Sequence, residues 1–351
     1  MKLRQLSAKI SHLSLKSILI FVCLLTVLIL IYIVGNEVGE PFTTKSFNTN
    51  QLISTNQPYA NLDLRIAAQA VYRGNLLKKV SVLGPDHNVQ RAIINFSVPA
   101  DGLTEYGLMT TPSTPPPPAG YPVIILLHGY IQPAAYSTKK AYLPDMEFYS
   151  QHGFAVVKPD LRGQGVSIHQ GKPEGAYYSM AYNTDILSLI ASIKDTPGLN
   201  AKNISLWGHS MGAYLALRAA VLSPDIKNVI LLSGPVGNVQ DMFSSYMPKS
   251  DVANPVAFSI NKSVLKKYGT PLTNPKFWDY TSPLNFLIHT HAYIQIYVGA
   301  KDRIVPPRFS ADLSRALNQL NMPHQYFVYP NGKHGLLAER SQIETHSLQA
   351  L

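Results

Sequence analysis

Gly208-His209-Ser210-Met211-Gly212 is the stretch that most narrows the folds open to this chain. An apolar run, Ile204 to Trp207, leads into it, and a helix-forming run from Met211 to Leu222 leads out. Two glycines flanking a serine in that setting call for a strand-to-helix turn so tight that side chains at 208 and 212 would collide with neighbouring backbone. Ser210 must then hold a strained conformation at the apex, with its hydroxyl lifted clear of the sheet. The pentapeptide alone is a weak signal, and the strand before it and the helix after it give it weight.

The rest of the chain agrees with that turn. From Val123 onward, short and fully apolar strands alternate with amphipathic helices, the pattern of a parallel sheet covered on both faces. Strands are expected at Val123 to Leu127, Phe154 to Val157, Ile204 to Trp207, Val229 to Leu232, Ile294 to Val298 and Tyr326 to Tyr329. Helices are expected around Leu143 to Gln151, Tyr178 to Lys194, Met211 to Leu222 and Arg308 to Leu320, the last with an apolar face of Phe309, Leu313, Ala316, Leu317 and Leu320. Ahead of these, Lys79 to Val82, Val89 to Val98 and Gly107 to Thr111 read as antiparallel strands, and the proline run at 112–120 as a stiff exposed loop. One stretch breaks the rhythm: residues 234–289 are too long for a simple crossover and read as a small helical cap over the carboxyl ends of the strands. Its aromatic residues fit either an apolar part of a substrate or the cap's own core.

The amino terminus poses a separate question. Ile18 to Val34 is an uncharged apolar run long enough to cross the hydrocarbon core of a bilayer as a helix. Lys2, Arg4, Lys9 and Lys16 precede it and Glu37 and Glu40 follow it, an asymmetry that puts the amino terminus in the cytoplasm. The expectation is a basic cytoplasmic segment over residues 1–17, a single-pass signal anchor over 18–34 with the lipid bilayer as partner, a polar tether over 35–61, and a folded domain over 62–351 outside the cytoplasm. A cleaved signal peptide is the rival, but Tyr32-Ile33-Val34-Gly35-Asn36 offers no small-x-small site. Cys23 is the only cysteine and lies within the apolar run, so the domain has no disulfide or thiolate chemistry. The net charge of +10 includes the basic segment. No nucleic-acid-binding motif accompanies it, and a basic domain beside an anionic membrane accounts for the excess.

Ser210 needs a base to accept its proton and a carboxylate to orient that base. In a sheet of this kind, the chain order is serine, acid, histidine. Asp302 falls just beyond the strand Ile294 to Val298, where loops of open parallel sheets carry chemistry. His334 falls in the glycine-flanked loop Asn331-Gly332-Lys333-His334-Gly335 after the final strand. An oxyanion formed at a carbonyl would need two backbone donors. These are expected at Met211 N–H, after the serine, and at Tyr130 N–H, in the loop His128-Gly129-Tyr130. His128, at the strand end, is read as ordering that loop rather than as a base. His289-Thr290-His291 is the one H-x-H pair and gathers no partners, so neither a metal nor another cofactor is expected.

Taken together, His128-Gly129, Asp160-Leu161-Arg162-Gly163-Gln164-Gly165-Val166-Ser167, the Gly208 to Gly212 turn, Asp302 and His334 resemble the catalytic domain of prolyl oligopeptidase-family serine hydrolases. The resemblance covers about residues 90 to 345, and the Asp-x-Arg-Gly-x-Gly-x-Ser stretch is its most discriminating part. It implies an alpha/beta-hydrolase fold: a mostly parallel central sheet, helices on both faces and a cap insertion. It also implies cleavage of a small ester or peptide substrate through an acyl-enzyme on Ser210. Asp160 and Arg162 are then expected to pin the loop beside the oxyanion site. Peptidases of that family carry a β-propeller of several blades, each of about 40 to 50 residues. The stretch from Gly35 to the first domain strands is too short to hold one, so their proline or dipeptidyl specificity does not carry over. Ester and peptide substrates both remain open, and the contrasting expectation is a catalytically silent binding domain on the same scaffold.

Overall fold

The computed structural model describes residues 62–171, 179–246 and 263–351. The basic segment, anchor and tether expected over residues 1–61 lie outside the described residues. Among the described residues, no helix is long and apolar enough to cross a membrane.

The sheet opens with three antiparallel strands, β1 (Lys78–Asp86), β2 (Val89–Val98) and β3 (Leu103–Pro112). His87 and Asn88 alone connect β1 to β2, both at positive φ (48° and 63°). A two-residue turn of that hand follows the twist of its strands, and histidine and asparagine are among the residues that tolerate it. β1 forms one edge of the sheet and is exposed for most of its length. Its register with β2 shifts twice, between Lys79 and Ser81 and between Val82 and Gly84.

Six further strands follow: β4 (Tyr121–Leu127), β5 (Ala155–Pro159), β6 (Leu199–His209), β7 (Ile226–Leu232), β8 (Tyr293–Gly299) and β9 (His324–Tyr329). They pair in parallel and join the first three through an antiparallel contact between β3 and β5, in the order β1-β2-β3-β5-β4-β6-β7-β8-β9. The mostly parallel sheet expected from the sequence is thus observed. β4 and β5 are buried almost throughout, as strands covered on both faces must be.

Side chains alternate across the sheet. Ile124 and Leu126 of β4 join Trp207, Ile230 and Tyr297 in one cluster, covered by Met146 and Tyr149 of α2 (Leu143–Gln151) and Ile343 of α8 (Arg340–Leu348). Two more helices, α3 (Ala181–Asp195) and α4 (Met211–Leu222), contact β6 but contribute nothing to that cluster. A short α1 (Leu64–Ala67) precedes β1, and α7 (Arg308–Gln319) buries Phe309, Leu313, Ala316 and Leu317 along one stripe.

Where it is described, the segment between β7 and β8 carries short helices joined by irregular chain. It comprises α5 (Val239–Ser245), a helix over residues 263–268, α6 (Pro275–Asp279) and a 3₁₀ turn at Pro283–His289. Met242, Tyr246, Phe277 and Trp278 pack with Tyr214 and Phe309. Those residues therefore share a core with α4 and α7.

Candidate active site

Ser210 caps α4 with φ 53° and ψ −119°, a conformation that costs a non-glycine residue of order 1–3 kcal/mol. Its N–H donates to the Leu232 carbonyl (2.8 Å) and its carbonyl accepts from Ala213 N–H (2.9 Å), so the strained residue is held from both sides. The flanking glycines are required by contact. A Cβ on Gly208 would overlap the Gly212 carbonyl, and one on Gly212 would overlap the carbonyl of Leu127 at the end of β4. The close approach at Gly212 draws the loop after β4 against the serine, and a Cβ on Gly129 would meet the Ser210 Cβ at 3.3 Å. Met211 is the first residue of α4, so its N–H has no partner within the helix.

Asp302 and His334 meet at the ends of their loops. His334 Nδ1 donates to Asp302 Oδ2 at 2.8 Å, while Asp302 Oδ1 accepts from the N–H groups of Ile304 (2.8 Å) and Val305 (2.9 Å). The two loops are themselves joined by Ala300 N–H to the Tyr329 carbonyl and Lys301 N–H to the Gly332 carbonyl, both at 2.9 Å. Neither Ser210 Oγ nor His334 Nε2 makes a hydrogen bond among the described residues. The structure thus brings acid and histidine together and ties the histidine's loop to the serine's turn, without a direct Ser210–His334 bond.

That tie was not foreseen from the sequence. Gly129 N–H donates to the Tyr142 hydroxyl (3.0 Å), which lies 2.6 Å from His209 Nδ1, and His209 Nε2 lies 3.0 Å from the His334 carbonyl. A carbonyl only accepts, so the His209 proton sits on Nε2, and Nδ1 receives the tyrosine proton. Burial, with His334 nearby, pushes His209 down to about 4, keeping it neutral, and burial pushes Tyr142 up to about 12. One chain of hydrogen bonds therefore joins the loop after β4, the serine turn and the histidine loop. The visible signal was a histidine beside Ser210; its partner, 67 positions earlier, has no counterpart in any local pattern.

Behind the loop after β4 lies a polar wall. Asp160 accepts from Tyr136 Oη (3.0 Å), Thr138 Oγ1 (2.7 Å) and Val166 N–H (2.9 Å). The buried Lys158 ammonium donates to Tyr136 Oη (2.8 Å) and the Thr138 carbonyl (3.0 Å), and burial lowers it to about 8. Asp160 thus ties Tyr136, Thr138 and Val166 to one carboxylate. His128 is fully buried, donates through Nδ1 to the Gly129 carbonyl (2.7 Å) and is pushed by burial down to about 4, as suits a loop-ordering residue.

Arg162 acts elsewhere than expected: it reaches Asp185 on α3 (3.1 Å) and Asp101 in the β2–β3 turn (2.7 Å). Beside that pair Glu105 is fully buried with neither carboxylate oxygen hydrogen-bonded, and burial, then the Asp185 charge, pushes it up to about 8. Tyr130, the other expected oxyanion donor, is exposed in its loop.

One group among the described residues could hold a cation by spacing, Asp86 with His87 and Glu147, but Arg91 already pairs with both carboxylates.

Comparison with known proteins gives a consistent result. A family model described as "Alpha/beta hydrolase family" matches residues 124–343. The acylamino-acid-releasing enzyme of Rattus norvegicus is 23% identical over 280 residues, which cover 76% of this chain and 34% of the rat protein. The chain spans about a third of the length of the acylamino-acid-releasing enzymes it matches. Among solved structures, an acetyl xylan esterase from Paenibacillus sp. R4 superposes with a TM-score of 0.59 at 19% identity, over 85% of this chain and 96% of that one. A puromycin-hydrolyzing peptidase of Mycobacterium tuberculosis gives 0.56 at 16% identity, over 76% and 39%.

Proposed function

The chain belongs to the alpha/beta hydrolase family, and from that premise we propose that it is a serine hydrolase cleaving a carboxylic ester or a peptide bond through an acyl-enzyme on Ser210. The observation that carries this reading is the His334–Asp302 hydrogen bond beside a serine held at φ 53°. In the first step, Ser210 Oγ attacks the carbonyl carbon and its proton passes to His334 Nε2. The tetrahedral oxyanion takes hydrogen bonds from Met211 N–H and Tyr130 N–H. As it collapses, the bond to the leaving group breaks and His334 returns the proton to the departing oxygen or nitrogen. Water, activated by the same histidine, then attacks the acyl carbon and frees Ser210. Asp302 keeps the Nδ1 tautomer and stabilises the imidazolium throughout. No step calls for a cofactor.

The test is kcat/KM on matched ester and amide substrates, with Ser210→Ala as control. Removing the nucleophile should lower turnover by about four orders of magnitude or more. Turnover unchanged in Ser210→Ala defeats the mechanism, and turnover of neither substrate favours the silent scaffold. Residues 18–34 serve in this reading as a single-pass anchor holding the domain outside the cytoplasm, supported by the charge asymmetry around them. Retention of the full chain in membranes washed with alkaline carbonate is the expected result, and release into the wash defeats the anchor.

A further inference from the structure

A cavity of about 600 Å³ opens beside the Asp302–His334 pair. Besides those two residues, Ala300, Lys301, Arg303, Ile304 and Lys333 line it. Its charge is one-sided. The one carboxylate, Asp302, is committed to His334 and to the N–H groups of Ile304 and Val305. Lys301 donates to the neutral amide of Asn331 (2.7 Å), while Arg303 and Lys333 are exposed and make no hydrogen bond or ion pair with a described residue. Three other arginines of the domain are paired: Arg162 with Asp185, Arg308 with Asp241 and Arg340 with Asp145. The unanswered cations come from two loops that backbone hydrogen bonds hold side by side, so their convergence is built into the fold.

We propose that this cavity receives the leaving group of the substrate and that the leaving group carries a carboxylate, as an amino acid or a hydroxy acid does. The chemistry of this inference rests on the serine-hydrolase reading above. His334 must hand its proton to the departing atom, so the leaving group lies on the His334 side of Ser210. The cavity is lined by His334 and Asp302, so it adjoins the histidine that makes this transfer. The Arg303 guanidinium matches a carboxylate with two parallel N–H···O bonds, Lys333 adds a point charge, and the exposed Ile304 offers apolar contact to the carbon frame. The departing group leaves as an amine or alcohol that has gained the histidine's proton and kept its carboxylate charge.

The experiment uses the full chain and two acetyl esters, 3-acetoxybenzoate and 3-acetoxybenzamide, which differ in a carboxylate against a neutral amide on the leaving group. Expected is a kcat/KM about tenfold higher for the carboxylate. The ratio should fall towards one in the double variant Arg303→Gln/Lys333→Gln and at high salt. Equal values in the unsubstituted chain overturn the inference. Equilibrium binding of 3-hydroxybenzoate and 3-hydroxybenzamide to the Ser210→Ala chain reads the cavity without turnover. Carboxylate-selective binding with no turnover of either ester keeps the cavity's role and retires the hydrolase reading. Turnover with no selectivity in either assay does the reverse, and failure of both assays retires both.

Discussion

Beneath Ser210, the loops are tied to one another: Gly129 to Tyr142, Tyr142 to His209, His209 to the His334 carbonyl, and Asp160 to Tyr136, Thr138 and Val166. Beside His334, Arg303 and Lys333 stand exposed without a counter-charge among the described residues. The same pole of the sheet thus carries a floor whose groups are answered from within and a rim whose groups await an answer from outside. The contrast separates two tasks. Fixing the geometry of a proton transfer rewards buried and satisfied contacts, whereas recognising a charged substrate requires cations left free to meet it. Ser210 Oγ and His334 Nε2 make no hydrogen bond with a described residue, and they are the two groups between which the proposed reaction moves its first proton.

The comparison breaks most visibly at Gly212. In Gly212→Ala, the new methyl meets the carbonyls of Leu127 and His128, which are backbone and cannot swing aside. The expected cost is about 1–3 kcal/mol of stability, with turnover lower by about a hundredfold as the Met211 N–H shifts from its aim. A variant with native melting temperature and turnover would show that the floor is not close-packed. Tyr142→Phe sharpens the same contrast more gently. It leaves Gly129 N–H and His209 Nδ1 buried without partners, at about 1–3 kcal/mol. About a tenfold fall in kcat with little change in KM is expected on a neutral ester, since positioning is lost and the rim is untouched. A rise in KM alone would move Tyr142 to the binding side.

The last effect concerns stability alone. Glu105 sits at about 8 in the fold against 4.5 when free. The native state therefore holds a proton that the unfolded chain releases between those values, and stability falls as pH rises through that window. Glu105→Gln removes this contribution, so urea midpoints at pH 5 and pH 8 should lie closer together in the variant. An unchanged gap would show that Glu105 titrates normally.

Much of this was legible in the sequence because it depends on local order. α4 spans Met211–Leu222 and α2 spans Leu143–Gln151, as the apolar spacing requires, and the glycines of the turn announced the contacts that the structure shows. Where reading failed, charge or distance was the cause. β5 was expected over Phe154 to Val157, yet it runs from Ala155 to Pro159 with Lys158 buried. Tyr136 Oη and the Thr138 carbonyl make that burial tolerable, and both lie about twenty residues away. No partner for Arg162 could be named from the sequence, since its carboxylate, Asp185, lies on a helix that comes later in the chain. Tyr142 and His209 met the same obstacle: periodicity places a residue on a face but does not say which side chain crosses to it.

The turn at His87-Asn88 has a consequence for how the molecule comes into being. It lets β1, β2 and β3 pair as a meander of near neighbours, whereas each parallel pairing from β4 onward must first close a long crossover. Contacts close in sequence form sooner than distant ones. The reacting groups are drawn from residues 128 to 334 and belong wholly to the slower half. By that rule the scaffold edge forms early, and the residues of the proposed triad come together only once β9 has docked beside β8.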